Sequence, residues 1–155
     1  MRPFLTLHHP AQARTYYEQG VWRADTFYGL VARHAAERPA AVALQDGRRS
    51  LTWKELQHWV DGVAADLRAK GLAGGDRVSI WMSNRAEAIV MFLACAREGL
   101  ACNPSLHRTF TCAEIGQLLE RLNARALLTE PGWGADRGHA EFDAMLADVS
   151  SLKVV

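Results

Sequence analysis

Behind Trp53, the apolar residues Leu56, Val60, Val63 and Leu67 recur at steps of three and four, which lays them along one stripe of a helix. Thr52 and Glu55 stand three apart at its start. In that spacing the threonine accepts from one orphan amide while the glutamate reaches back to another. Gly71, just past Lys70, suits the left-handed residue that closes a helix. The same grammar recurs twice. Asn84 and Glu87 open a predicted helix through Ile89, Val90, Leu93 and Ala96 to Gly99, and Thr111 and Glu114 open one carrying Ile115, Leu118, Leu119 and Leu122. A further helix is predicted over 139–148. Upstream, "AQARTYYEQG" reads as a short helix ending at Gly20. Phe27, Leu30, Val31 and His34/Ala35 then give a second, capped by Asp25 or Thr26 and stopped by Pro39.

Between these stripes lie short apolar runs. "RVSIWM" (77–82) shows little polar alternation, as a strand covered on both faces should. "LACN" (100–103), "RALLT" (125–129) and "LKVV" (152–155) follow as strands, and "AVALQ" (41–45) turns through "DGRR" onto a short partner, "SLT". From residue 52 helix and strand alternate without repeat or low-complexity tract. The fold class is therefore α/β, a mostly parallel sheet flanked by helices on both faces and wound right-handed. Residues 1–24 form an arm with one helix, and 25–155 form the α/β unit.

The glycines of "AKGLAGGDRVSIWMSN" (69–84) raise the question of a phosphate loop. Such a loop runs strand, glycines, helix, so that successive N–H groups and a helix N terminus face the anion. Here the order is helix, glycines, strand, and neither GKS, GKT nor a GxGxxG after a strand occurs. Helix termination accounts for Gly71 and a turn for Gly74-Gly75-Asp76.

Composition narrows the function classes. With 155 residues, 49% apolar and 23% charged, the chain suits one folded domain, and a net charge of +1 gives no electrostatic case for nucleic acid or an anionic membrane. Arg48-Arg49 reads as solvated turn. Cys95, Cys102 and Cys112 are odd in number and lack CxxC spacing, which argues against a disulfide framework or zinc site and for a reducing cytoplasm. The N-terminal stretch is too short for a signal peptide, and no window spans a bilayer. His8-His9 lacks a nearby third ligand, as tetrahedral metal sites require. His58 and Asp61 at i, i+3 read as surface electrostatics, and Cys95 as core. The loop "NPSLHRTFT" (103–111) follows a strand's carboxyl end, where open α/β sheets place ligands. It offers Asn103, His107 and Arg108 as candidate substrate-binding residues, although a turn also explains Asn103-Pro104. Most of the tryptophans at 53, 59, 81 and 133 fit helix faces or strands rather than a base-stacking set.

Taken in order, residues 49–130 resemble the N-terminal region of adenylate-forming enzymes: acyl-CoA synthetases, aryl-acid–AMP ligases and nonribosomal peptide synthetase adenylation domains. The resemblance runs through Leu51-Thr52-Trp53, Glu55-Leu56, Leu67, Gly71, Gly75-Asp76, Val78, Asn84 and Gly99. Asn103-Pro104, Glu114 and the strand Ala124 to Thr129 continue it. Residues 16–47 resemble the start of the branch that activates free carboxylic acids, especially aryl-acid–AMP ligases and cyclohexanecarboxylate-type CoA ligases. The resemblance implies a parent that joins a carboxylate to the α-phosphate of ATP, giving acyl-AMP and pyrophosphate, and then transfers the acyl group to CoA or a carrier thiol. It implies Mg²⁺ and cationic donors around the phosphates. It leaves aryl, alicyclic and fatty acids all open as substrates.

The family's Ser/Thr/Gly-rich phosphate loop with its lysine, its adenine motif, ribose-binding aspartate, hinge and C-terminal catalytic lysine have no counterpart in these 155 residues. The expectation is an incomplete large domain, with no catalytic or cofactor-binding residue carried over, inactive alone and partnered by the remainder of the enzyme. An apolar face left uncovered would drive self-association. The alternative is a stand-alone interaction or regulatory module derived from such an enzyme. A dinucleotide-binding domain lacks its glycine fingerprint.

Overall fold

The computed structural model describes residues 9–104, 107–136 and 139–155. Its helices are α1 (Pro10–Glu18), α2 (Phe27–Glu37), α3 (Trp53–Ala69), α4 (Ala86–Glu98), α5 (Cys112–Leu122) and α6 (His139–Asp148). Its strands are β1 (Val42–Gln45), β2 (Ser50–Thr52), β3 (Arg77–Trp81), β4 (Ala101–Asn103) and β5 (Ala124–Thr129). β1 and β2 pair antiparallel as a separate hairpin, while β3 lies between β4 and β5 in a parallel sheet. The chain leaves β3 through α4 to reach β4, then crosses back through α5 to β5. α2, α3 and α4 build a core with Val78 and Ala126 on one face, and α5 and α6 build a second with Trp81 and Leu127 on the other. That is the α/β architecture expected from the alternation.

Burial explains why β3 reads as a continuous apolar run. Val78 and Trp81 are fully buried on opposite faces, and Ser79 between them is fully buried too. With Val60, Val90, Ile115 and Leu119, these are the largest side chains withdrawn from water, each apolar one stabilising the fold by about 1.5–3 kcal/mol.

Two of the three expected capping boxes form. Thr52 accepts from the Glu55 amide at 3.3 Å and Glu55 accepts from the Thr52 amide at 2.8 Å; Thr111 and Glu114 repeat this at 3.2 and 2.9 Å. The Asn84–Glu87 box does not. α4 begins one residue later than that spacing implies, with Arg85 as N-cap and no side-chain cap, because Glu87 is drawn instead to Arg49 and Arg85. The last predicted strand shrinks to a single parallel bridge, Ala126 to Val154. Residues 152–155 follow a 3.2 Å turn from Leu152 to Val149, and the Lys153 amide donates to the Arg125 carbonyl at 2.8 Å while the Leu127 amide donates to that of Val154 at 3.0 Å. Gly71 takes φ +80° and Gly75 φ +87°, with the Gly75 amide on the Gly99 carbonyl at 2.8 Å. The glycine stretch thus closes α3 and turns into the amino end of β3.

Candidate functional site

In an open α/β sheet the ligand crevice opens where neighbouring strands send their connections to opposite faces. Here β3 leads to α4 on one face while both its neighbours lead to the other, β4 to α5 and β5 to α6, so the carboxyl edge on either side of β3 meets that condition. The segment 82–85 leaves β3 there, 104–111 leaves β4 and 130–136 leaves β5.

Trp81 organises the two later loops. Its indole Nε1 donates to the His107 carbonyl at 3.1 Å, and the Ala135 amide donates to the Phe110 carbonyl at 2.9 Å. Gly134, at φ +123°, lies so close that an added Cβ would stand 2.7 Å from Trp81 Cζ2. Asp136 then accepts from the Cys112 amide at 2.8 Å, tying the loop after β5 to the start of α5.

Charged groups close the rest of the edge. Arg85 donates to Glu130 at 2.9 Å and to Glu87 at 3.1 Å; Glu87 also takes Arg49 at 2.9 Å, and Glu130 takes the Ser83 amide at 3.2 Å. Burial alone would raise the Glu130 pKa, but its bonds from Ser83 and Arg85 outweigh that and hold it below the usual carboxylate range. Asp46 accepts from the Ala86 amide at 2.9 Å and from the Arg48 and Arg49 amides at 2.8 and 2.9 Å. The Ala86 bond, then that of Arg48, lowers the Asp46 pKa to about 2. The first-turn amide of α4, where an anion would sit, is thus taken by this chain's own carboxylate.

Asn103 sits half-buried at the end of β4, and His107 and Arg108 are exposed in the following loop. His107 contributes its carbonyl to Trp81 and places its ring 6.1 Å from Phe110, while the Arg108 guanidinium lies over Trp133 at 5.4 Å. The structure therefore puts all three candidates at the carboxyl edge but engages His107 and Arg108 with aromatic neighbours in the loops. His8 lies outside the described residues, and His9 is the N-cap of α1 without a side-chain cap bond. Asp61 accepts from Tyr28 Oη at 2.6 Å and pairs with Arg97 at 2.9 Å, while His58 is exposed. Cys95 is fully buried, as expected of a core residue.

Arg49 corrects the reading of Arg48-Arg49 as solvated turn: it bonds Glu87 and stacks on Trp59 at 5.1 Å. Sequence reasoning missed the Asp46–Arg49–Arg85–Glu87–Glu130 set altogether. Its members come from three separate segments, so no local spacing announces them. The available signal was charge placed at the very ends of apolar runs.

Among the described residues, no group of three or more His, Cys, Asp or Glu is placed to hold a metal ion. With the α4 amide also occupied, the described residues do not form a site for a nucleotide phosphate and its Mg²⁺. Also among the described residues, no helix is long and apolar enough to cross a membrane.

Fold and edge together define an α/β unit whose carboxyl edge is braced by its own ion pairs. The model of the AMP-binding enzyme family matches residues 31–155. Enterobactin synthase component E of Escherichia coli is 33% identical over 150 residues, which cover 92% of this chain and 26% of that protein. A medium/long-chain-fatty-acid–[acyl-carrier-protein] ligase of Mycobacterium tuberculosis is 35% identical over 110 residues, 70% of this chain and 20% of that one. In fold, coronafacic acid ligase of Pectobacterium brasiliense superposes with TM-score 0.73 at 19% identity, over 84% of this chain and 26% of that chain. The chain belongs to the AMP-binding enzyme family and forms an N-terminal region of the adenylate-forming superfamily. It spans about a quarter of the length of enterobactin synthase component E.

Proposed function

We propose that this chain is the N-terminal scaffold portion of an AMP-forming carboxylic acid–CoA or aryl-acid–AMP ligase, and that it does not complete adenylation alone. One observation carries the reading: the family match covers nearly the whole chain but only about a quarter of a relative. The occupied α4 N terminus and the absence of a glycine–lysine phosphate loop support it. In this reading residues 1–24 are an arm and 25–155 part of a large domain, in a cytoplasmic enzyme. ATP, Mg²⁺ and the thiol acceptor are bound chiefly by the remainder. Asn103, His107 and Arg108 face the crevice from the β4 side as its contribution to the substrate pocket.

The groove lined by Phe27, Leu30, Ala43, Trp53 and Ile89 is then a surface the remainder covers. ATP–pyrophosphate exchange with a panel of aryl, alicyclic and fatty acids tests the proposal. Exchange by the 155-residue chain is expected at background, and acid-dependent exchange well above it would overturn the claim.

A further inference from the structure

Residues 9–24 lie outside both cores, and no residue of α1 is buried. The helix has nine residues, no side-chain cap, no acid in its first turn and no base in its last. A helix that short is marginal in water unless another surface holds it. Within this chain it is held by an aromatic clasp of its own. Gly20, at φ +71°, reverses the chain, and the Trp22 amide donates to the Tyr16 carbonyl at 3.0 Å. The Trp22 ring then stands 5.1 Å from that of Tyr16 and 5.7 Å from that of Tyr17. The clasp leaves its outer side in water: Tyr17 is 56% exposed, Val21 65% and Trp22 41%. Tyr17 Oη and Trp22 Nε1 make no hydrogen bond among the described residues.

We infer that this arm is a hook that docks on the remainder of the same polypeptide, in an apolar recess that covers Tyr17, Val21 and Trp22 and offers acceptors to the phenol and the indole N–H. The inference rests on the ligase reading above. Two facts select the occupant. The match to enterobactin synthase component E covers 92% of this chain, a share that residues 25–155 alone do not reach, so part of the arm belongs to the framework the two proteins have in common. The same match takes up only 26% of that protein, so most of the enzyme's length lies outside these residues and supplies the surface the hook lacks here. Because hook and recess are tethered, the contact forms at the high effective concentration of one chain, and a small aromatic patch suffices. Docked, the hook would tie the start of the chain to segments that follow Val155, across the α/β unit that separates them.

Trypsin reads the hook directly, since Arg14 lies within α1 and Arg23 just beyond the clasp, both exposed. Timed digests of the 155-residue chain and of the native polypeptide isolated from the cells that make it are compared by mass spectrometry, with the native size read from the same samples. Cleavage after Arg14 and Arg23 is expected at least about tenfold faster in the isolated chain, because protection follows the population of the open form. Trp22→Ala in the native polypeptide should restore that cleavage without changing the fragments from 25–155. A native species several-fold heavier than 17.2 kDa, cut at both sites as fast as the isolated chain, would overturn the hook and leave the ligase reading standing. A native species of 17.2 kDa would overturn both. Protection of the isolated chain that grows with its own concentration would assign the hook to a second copy, and protection by phosphatidylcholine–phosphatidylglycerol vesicles would assign it to a lipid surface; either result overturns the inference. The wild-type comparison decides even if Trp22→Ala does not fold.

Discussion

Asp46 shows how much one side chain does at the carboxyl edge. Its carboxylate bridges the β1–β2 turn and the start of α4 through three backbone amides. Its pKa is depressed in the folded state, so its contribution is full above the unfolded value of about 3.9 and is lost as pH falls through about 2. Asp46→Asn should therefore be less stable than wild type at neutral pH, with the gap closing between about pH 4 and pH 2. Urea midpoints measured across that range check this, and parallel curves would contradict it. Gly134 is a second such position. A Cβ there meets the Trp81 ring and φ is +123°, so Gly134→Ala should cost about 1–3 kcal/mol in urea unfolding and shift the emission of the buried Trp81. Neither role was legible in the sequence. "DGRR" announced a turn and "PGWG" a loop, but the partners, Ala86 and Trp81, stand roughly forty to fifty residues away.

Elements were far more legible, because their signals are local. The stripe behind Trp53 buries Leu56, Val60 and Leu67 as periodicity requires, with Val63 half-buried and Ala64 beside it buried in its stead, and both Thr-x-x-Glu boxes form. The Asn84 start of α4 failed for a reason local grammar cannot see: its glutamate had better partners in Arg49 and Arg85. This gives a paired prediction. Thr111→Ala should destabilise by about 1 kcal/mol through the lost cap, whereas Asn84→Ala should fall within about 0.5 kcal/mol of wild type. Thermal unfolding of both variants checks it, and equal losses would contradict the absence of an Asn84 cap. The "LKVV" strand failed similarly. Its pattern is apolar enough to pair, and it meets β5 through one bridge at Val154 and the Lys153 amide on the Arg125 carbonyl rather than as a full strand. The candidate trio Asn103, His107 and Arg108 was legible as a place, the end of a strand, but not as a geometry; Trp81 and Trp133 organise that loop from elsewhere in the chain.

At the scale of the whole molecule, the two cores make a coherent α/β unit, yet apolar surface remains outside them. Phe27 is 60% exposed and Ile89 45% in the groove between α2, the hairpin and α4. A surface of that kind is covered in the working protein or is a liability to it. In the proposed ligase the remainder of the enzyme supplies that cover. The measurement that bears most directly on this is the size of the native polypeptide in the cells that make it, by immunoblot against this chain and intact-mass spectrometry. A species several-fold heavier than 17.2 kDa is predicted, with this sequence as its N-terminal region. A native species of 17.2 kDa would contradict the account and turn attention to a module that binds a partner through this face.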